Sequence, residues 1–155
     1  MSQVDRVLRS SSQPHLLLTG YDRNTGHDFL GRSAGWGSLS IWVHYMKNIE
    51  YLDNYNIGQY NGPAARISAG SEAFEAYNAM VGYNFTMVVT GAPTVSVIGG
   101  WSAGGGHSSL ASLYGLGSDQ LLSINLVTAE GRFITADVNQ NQDLFFALRG
   151  GGGGT

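Results

Sequence analysis

The chain has 155 residues, a net charge of −3, only 12% charged residues and no cysteine. That is one domain's length of chain, enough to bury a sizeable core. With seven arginines, one lysine and no basic run, nucleic acid and anionic membrane are excluded as partners, and the lack of cysteine excludes disulfides, thiolate metal sites and cysteine nucleophiles.

In chain order, Val4, Val7 and Leu8 form a short helical stripe, supported by Asp5 and Arg9 at i,i+4. "HLLLTG" (15–20) reads as a buried parallel strand and "YDRNTGHDFLGRSAGWG" (21–37) as a polar loop. "SLSIWVHYM" (38–46) alternates Leu39, Ile41, Val43 and Tyr45 with the period of a strand, and "ARISAG" (65–70) is a second strand. Ser71 is placed as an N-cap with Glu72 in the first turn, and Phe74, Tyr77 and Val81 line one face of the helix that follows. "TMVVTGAPTVSVIGG" (86–100) holds two β-rich pieces broken by Gly91-Ala92-Pro93. "LLSINLVTAEGRFITA" (121–136) is a hairpin turning at Gly131, and Asp143 to Leu148 is a helix closed by Arg149 and Gly150. The whole is an α+β arrangement with glycine loops at strand ends and no internal repeat.

Glycine is the outlier: 23 residues, of which 13 lie between Gly99 and Gly154. "GWSAG" (100–104) satisfies the G-x-S-x-G pattern of a nucleophile elbow with Ser102 as nucleophile. Three glycines directly after the serine oppose the helix an elbow needs, and no histidine follows His107 to complete the order Ser, Asp or Glu, His. Lys47 has no glycine beside it, which removes a P-loop, and G-x-G at 35–37 and 115–117 lacks a third glycine opening a helix. The four histidines, 15, 27, 44 and 107, show no metal-ligand spacing. What remains are bare-backbone loops, "NTGHD", "TGAPT" and "GGWSAGGGH", whose N–H groups can nest phosphate oxygens at close approach. Plain surface turns are the competing reading, and Trp101, a large apolar residue in such a loop, argues for a partner or ligand.

"NTGHDFLGRS" (24–33), "GAPTVSVIGGWSAGGGHSSLASLYGLGSDQ" (91–120) and "DLFFALRGGGGGT" (143–155) together resemble the FAD-binding domain of the vanillyl-alcohol oxidase and p-cresol methylhydroxylase family. "LSIWVHYMKNIEYL" and "NGPAARISAGSEAFEAY" resemble its fungal, berberine bridge enzyme-like branch, and the likeness runs colinearly over about residues 20–155. The resemblance implies an FAD-linked oxidoreductase whose residues 1–155 are one FAD-binding domain, cut short at both ends. It implies that Asn24, Thr25, Gly26, His27 and Asp28 hold the pyrophosphate, with His27 joined covalently to the flavin 8α-methyl group. Gly91, Ala92, Pro93, Thr94 and Val95, with Gly99, Gly100, Gly104, Gly105, Gly106 and His107, would line the rest of the cofactor.

Members with two flavin bonds carry a cysteine where this chain has Ala92, so the resemblance implies a single bond. The family's substrate-binding domain would follow Thr155, and no residue here is nominated as a catalytic base. A small-molecule substrate is expected, with hydride passing to flavin N5 and oxygen as acceptor. A non-catalytic flavin- or partner-binding protein, or half of a split enzyme, is the rival reading, with self-association or a complementary chain expected at an uncovered sheet edge. The opening "MSQVDRVLRS" lacks the apolar core of a signal peptide and no segment reaches spanning length, so no membrane association is expected and the chain reads as cytoplasmic as it stands.

Overall fold

A computed structural model of the chain describes residues 20–153. The helix read over Val4–Leu8 and the strand read over 15–20, except its last residue, lie outside the described residues.

Among the described residues, six strands form three two-stranded sheets. β1 (Gly20–Arg23) pairs parallel with β2 (Leu39–Trp42), β3 (Ile49–Ile57) antiparallel with β4 (Tyr60–Ile67), and β5 (Ser123–Val127) antiparallel with β6 (Phe133–Asp137). Between and after them lie α1 (Ala73–Val81), two single turns α2 (Gly100–Ala103) and α3 (Ala111–Tyr114), a 3₁₀ turn at Gly117–Gln120, and α4 (Gln142–Leu148). The β3–β4 hairpin turns on Gly58-Gln59, with Gly58 at φ +55°, the left-handed value a primed two-residue turn demands. Gly131 at φ +77° turns the longer, five-residue β5–β6 connection, where its N–H donates to Thr128 O (2.8 Å).

Three expectations are corrected. The loop read over 21–37 begins as β1, because pairing with β2 recruits Tyr21–Arg23 into a parallel ladder. The β-rich run 86–100 forms no strand; its one ladder contact is an isolated bridge from Ser96 to Glu72. Its backbone instead serves a helix end: the carbonyls of Pro93 and Val95 accept the N–H groups of Phe74 (3.0 Å) and Ala73 (2.9 Å), donors that a helix N-terminus leaves orphaned.

The third concerns α1 itself. It starts one residue later than expected, with Glu72 at the N-cap, and buries Ala73, Ala76 and Met80, while Phe74, Tyr77 and Val81 are 45%, 52% and 59% exposed. Both stripes are apolar and one residue apart, so period 3.6 identifies the helix without saying which stripe faces in. Ala73 and Ala76 let α1 close onto Val97, and Ile49, Ile67, Met87, Val89, Ile98 and Trp101 pack against this cluster. β3 carries Asp53 and Asn54, weak strand formers, where its register with β4 shifts between Leu52 and Tyr55, and pairing on either side holds the strand.

The start of α1 is tied down by charge. The Glu72 N–H donates to Glu75 Oε2 (2.8 Å), and Lys47 Nζ donates to both Glu75 Oε2 (2.7 Å) and Glu72 Oε1 (3.1 Å). Partial burial pushes the Glu75 carboxyl up, but the Lys47 ammonium and the Glu72 amide outweigh it and hold the group below its usual 4.5. A depressed carboxyl stabilises the fold at pH above the unfolded value and loses that contribution as pH falls through the folded one. Glu75→Gln is therefore expected to lower stability by about 1 kcal/mol at neutral pH, read as a drop in Tm, with the gap to the unsubstituted chain closing below about pH 4. A gap that persists at low pH would show that charge is not its cause.

Candidate cofactor-binding site

β1 ends at Arg23, and the next five residues turn sharply away from the sheet. Gly26 makes the reversal at φ +79°, where an added Cβ would lie 2.9 Å from the Arg23 guanidinium. The turn is pinned on both sides: Asn24 Nδ2 donates to Ala69 O (2.6 Å), and Trp42 Nε1 donates to Asn24 O (2.7 Å). Asp28 closes it, accepting from the Arg32 amide (2.9 Å) and from Arg32 Nε (3.0 Å) and Nη2 (3.1 Å). The Arg32 side chain, more than the backbone amides, holds the Asp28 carboxyl below its usual range.

The backbone N–H groups of Thr25, Gly26, His27 and Asp28 donate to no acceptor among the described residues. Successive free amides on a glycine turn form an anion-binding concavity. Asn24 Oδ1 is buried and likewise has no hydrogen-bond partner among the described residues. Buried polar atoms are rarely left so, and this one asks for a donor on a bound group.

An open cleft of about 280 Å³ adjoins this turn, lined by Arg23, Asn24, Thr25, His27, Trp42, His44, Glu72 and Thr94. His27 and Thr94, 67 positions apart in sequence, meet across it with His27 Nε2 3.0 Å from Thr94 Oγ1. Thr94 is aimed there because the carbonyls on either side of it are engaged by α1. His44 stacks on Trp42 (ring centroids 5.2 Å apart) with Nδ1 3.7 Å from Glu72 Oε1, closing the far wall.

The structure thus brings Asn24, Thr25, His27 and Thr94 of the expected set to one cleft. Gly26 and Asp28 shape the turn without lining it, and Gly91, Ala92, Pro93 and Val95 carry Thr94 from behind. Trp42, His44 and Glu72 went unnominated, although Trp42 and His44 fall on the polar alternate of "SLSIWVHYM", a signal that the strand has a second functional face.

The glycine segment 99–107 builds a separate wall. Gly99, Gly105 and Gly106 take φ of +98°, +106° and +78°, and Gly106 packs so closely that its Cβ would lie 2.7 Å from Gly117 Cα. Gly106 O and Gly105 O accept from the amides of Gly117 (2.8 Å) and Ser118 (3.1 Å), and Ala103 O from Gly152 (2.8 Å). Among the described residues no hydrogen bond joins this segment to the His27 turn. Trp101 has its partner within the fold: Nε1 donates to His107 O (3.0 Å) and the ring covers Gly117. Ser102 is buried with Oγ donating to Gly99 O (3.1 Å), so it is a turn-closing hydroxyl and the elbow reading falls. His107 is exposed, and among the described residues no group of His, Asp or Glu is arranged to hold a metal ion.

An imidazole and a hydroxyl thus meet beside a glycine turn whose amides have no acceptor among the described residues, with close-packed glycine turns elsewhere in an α+β frame. The FAD binding domain family matches residues 3–137, and the chain belongs to that family. A VAO-type flavoprotein oxidase from Thermothelomyces thermophilus is 49% identical over 134 residues, 86% of this chain and 23% of that protein. The crystal structure of the VAO-type flavoprotein MtVAO615 from Myceliophthora thermophila superposes with a TM-score of 0.86 at 46% identity, covering 89% of this chain and 25% of that one. A glucooligosaccharide oxidase from Acremonium strictum with a 6-S-cysteinyl, 8α-N1-histidyl FAD gives a TM-score of 0.75 at 25% identity, covering 87% and 27%. The chain spans about a quarter of the length of these relatives. Its cofactor is FAD, and the free amides, positive-φ glycines and unpartnered Asn24 Oδ1 fit that group. No helix among the described residues is long and apolar enough to cross a membrane.

Proposed function

We propose that this chain supplies the FAD cradle of an oxidoreductase, with His27 as the point of covalent flavin attachment. When bound, FAD accepts a hydride at N5 from a small-molecule substrate and returns the electrons to dioxygen. The amides of Thr25 to Asp28 hold the pyrophosphate, since a doubly charged group needs donors that the turn already presents. Thr94 and its neighbours Gly91 to Val95 flank the flavin, while Gly99, Gly100, Gly104 to Gly106 and His107 line the remainder of the cofactor. Asn24 Oδ1 accepts from a donor on the cofactor.

The observation that carries this reading is the meeting of His27 and Thr94 beside four amides that have no acceptor among the described residues. The attachment in the Acremonium strictum enzyme, which includes a histidyl bond, supports His27 as its counterpart; Ala92 leaves this chain no cysteinyl partner.

Titrating the purified chain with FAD is expected to quench flavin fluorescence and raise Tm, with about 2.7 kcal/mol of stabilisation at a hundredfold excess over Kd. Unchanged fluorescence and Tm at saturating FAD would overturn the reading. Gly106→Val is expected to abolish the quenching, because its Cβ has no room beside the Gly117 backbone.

A further inference from the structure

Beyond naming His27, the geometry says how its ring is prepared. An imidazole forms a carbon–nitrogen bond only through a nitrogen with a free lone pair, and a neutral ring has one such nitrogen. Nε2 is occupied: it lies 3.0 Å from Thr94 Oγ1. Nδ1 has no hydrogen-bond partner among the described residues.

Thr94 is well founded for this task. Pro93 O and Val95 O accept the Phe74 and Ala73 amides, so the backbone on both sides of Thr94 is anchored to α1. The charged and titratable groups that also line the cleft, Arg23, His44 and Glu72, make no hydrogen bond to the His27 ring.

We propose that Thr94 is the positioning residue for His27: its hydroxyl oxygen accepts the Nε2–H and so presents the Nδ1 lone pair to the flavin 8α-carbon. This rests on His27 being the attachment residue. Attachment forms the Nδ1–C8α bond and breaks one methyl C–H bond. The methyl proton and the Nε2 proton leave to solvent, and the two electrons pass through the isoalloxazine to dioxygen, giving peroxide. A second hydroxyl at position 94 serves equally; a hydrocarbon side chain does not.

Two measurements test it. In ¹⁵N-labelled, flavin-free protein with the imidazole in its neutral form, His27 is expected to carry its proton on Nε2 in the unsubstituted chain and in Thr94→Ser, and to show mixed tautomers in Thr94→Val. A proton on Nδ1 in the unsubstituted chain overturns the proposal, whether or not any flavin is attached. With FAD added at saturation, acid-stable flavin is expected to form roughly 100-fold more slowly in Thr94→Val, with Thr94→Ser close to the unsubstituted rate. Equal rates in Thr94→Val and the unsubstituted chain also overturn it. Attachment that survives His27→Ala would instead remove the assignment of His27 on which the proposal rests.

Discussion

His27→Ala is expected to bind FAD and to lose it completely on acid denaturation, whereas the unsubstituted chain keeps yellow fluorescence on the polypeptide. The imidazole sits on a turn fixed by Asn24 to Ala69, by Trp42 to Asn24 and by Arg32 to Asp28, none of which involves the His27 side chain. The nest of amides therefore survives the substitution, and reversible affinity changes little. A covalent nitrogen substituent on the 8α-carbon draws electron density from the isoalloxazine, so its loss is also expected to lower the reduction potential of the bound flavin. Acid precipitation followed by fluorescence of the pellet decides the first point, and reductive titration against a reference dye the second. Equal pellet fluorescence in both proteins would place the bond elsewhere.

The largest effect on stability is expected at Gly70, a residue outside every loop expected to touch the cofactor. An added Cβ would lie 2.3 Å from Val43 O, 2.6 Å from His44 O and 2.7 Å from Met46 O, all backbone atoms, and the Gly70 N–H donates to Met46 O at 2.9 Å. Nothing there can rotate aside. Gly70→Ala must move either the segment following β2 or the approach to α1, at a cost of about 3 kcal/mol or more. In a domain of this size that is a fall in Tm of roughly 10 °C, measurable by circular dichroism. Because His44 and Glu72 ride on the two segments forced apart, FAD affinity is expected to fall with it. Gly91→Ala is the control: nothing lies within 4 Å of its Cβ and its φ is not left-handed, so a change within about 0.5 kcal/mol is expected.

These two residues differ in how far they could be read without coordinates. His27 was reachable through the family resemblance of its loop "NTGHDFLGRS", and Gly70 was not, because its constraint comes from carbonyls more than twenty positions away. The same division runs through the fold. The β5–β6 hairpin and α4 were legible, since a turn at Gly131 and a helix closed by Arg149 and Gly150 are settled by neighbours in sequence. That the glycine loops could reverse sharply was legible, but which glycines take a positive φ (Gly26, Gly99, Gly105 and Gly106, yet not Gly91, Gly100 or Gly104) was not.

What the sequence by itself determined was the inventory: bare-backbone loops, the residues on them and the helix and hairpin whose signals are local. Only the tertiary structure decided the rest. It chose Ala73, Ala76 and Met80 over Phe74, Tyr77 and Val81, because close approach of Ala73 and Ala76 to Val97 rewards small side chains there and both stripes share one period. It denied 86–100 a strand, because the first turn of α1 claimed the carbonyls of Pro93 and Val95. That capture also sets Thr94 against His27 across 67 positions, a meeting that no periodicity encodes, since it depends on two loops being carried to one place by different elements.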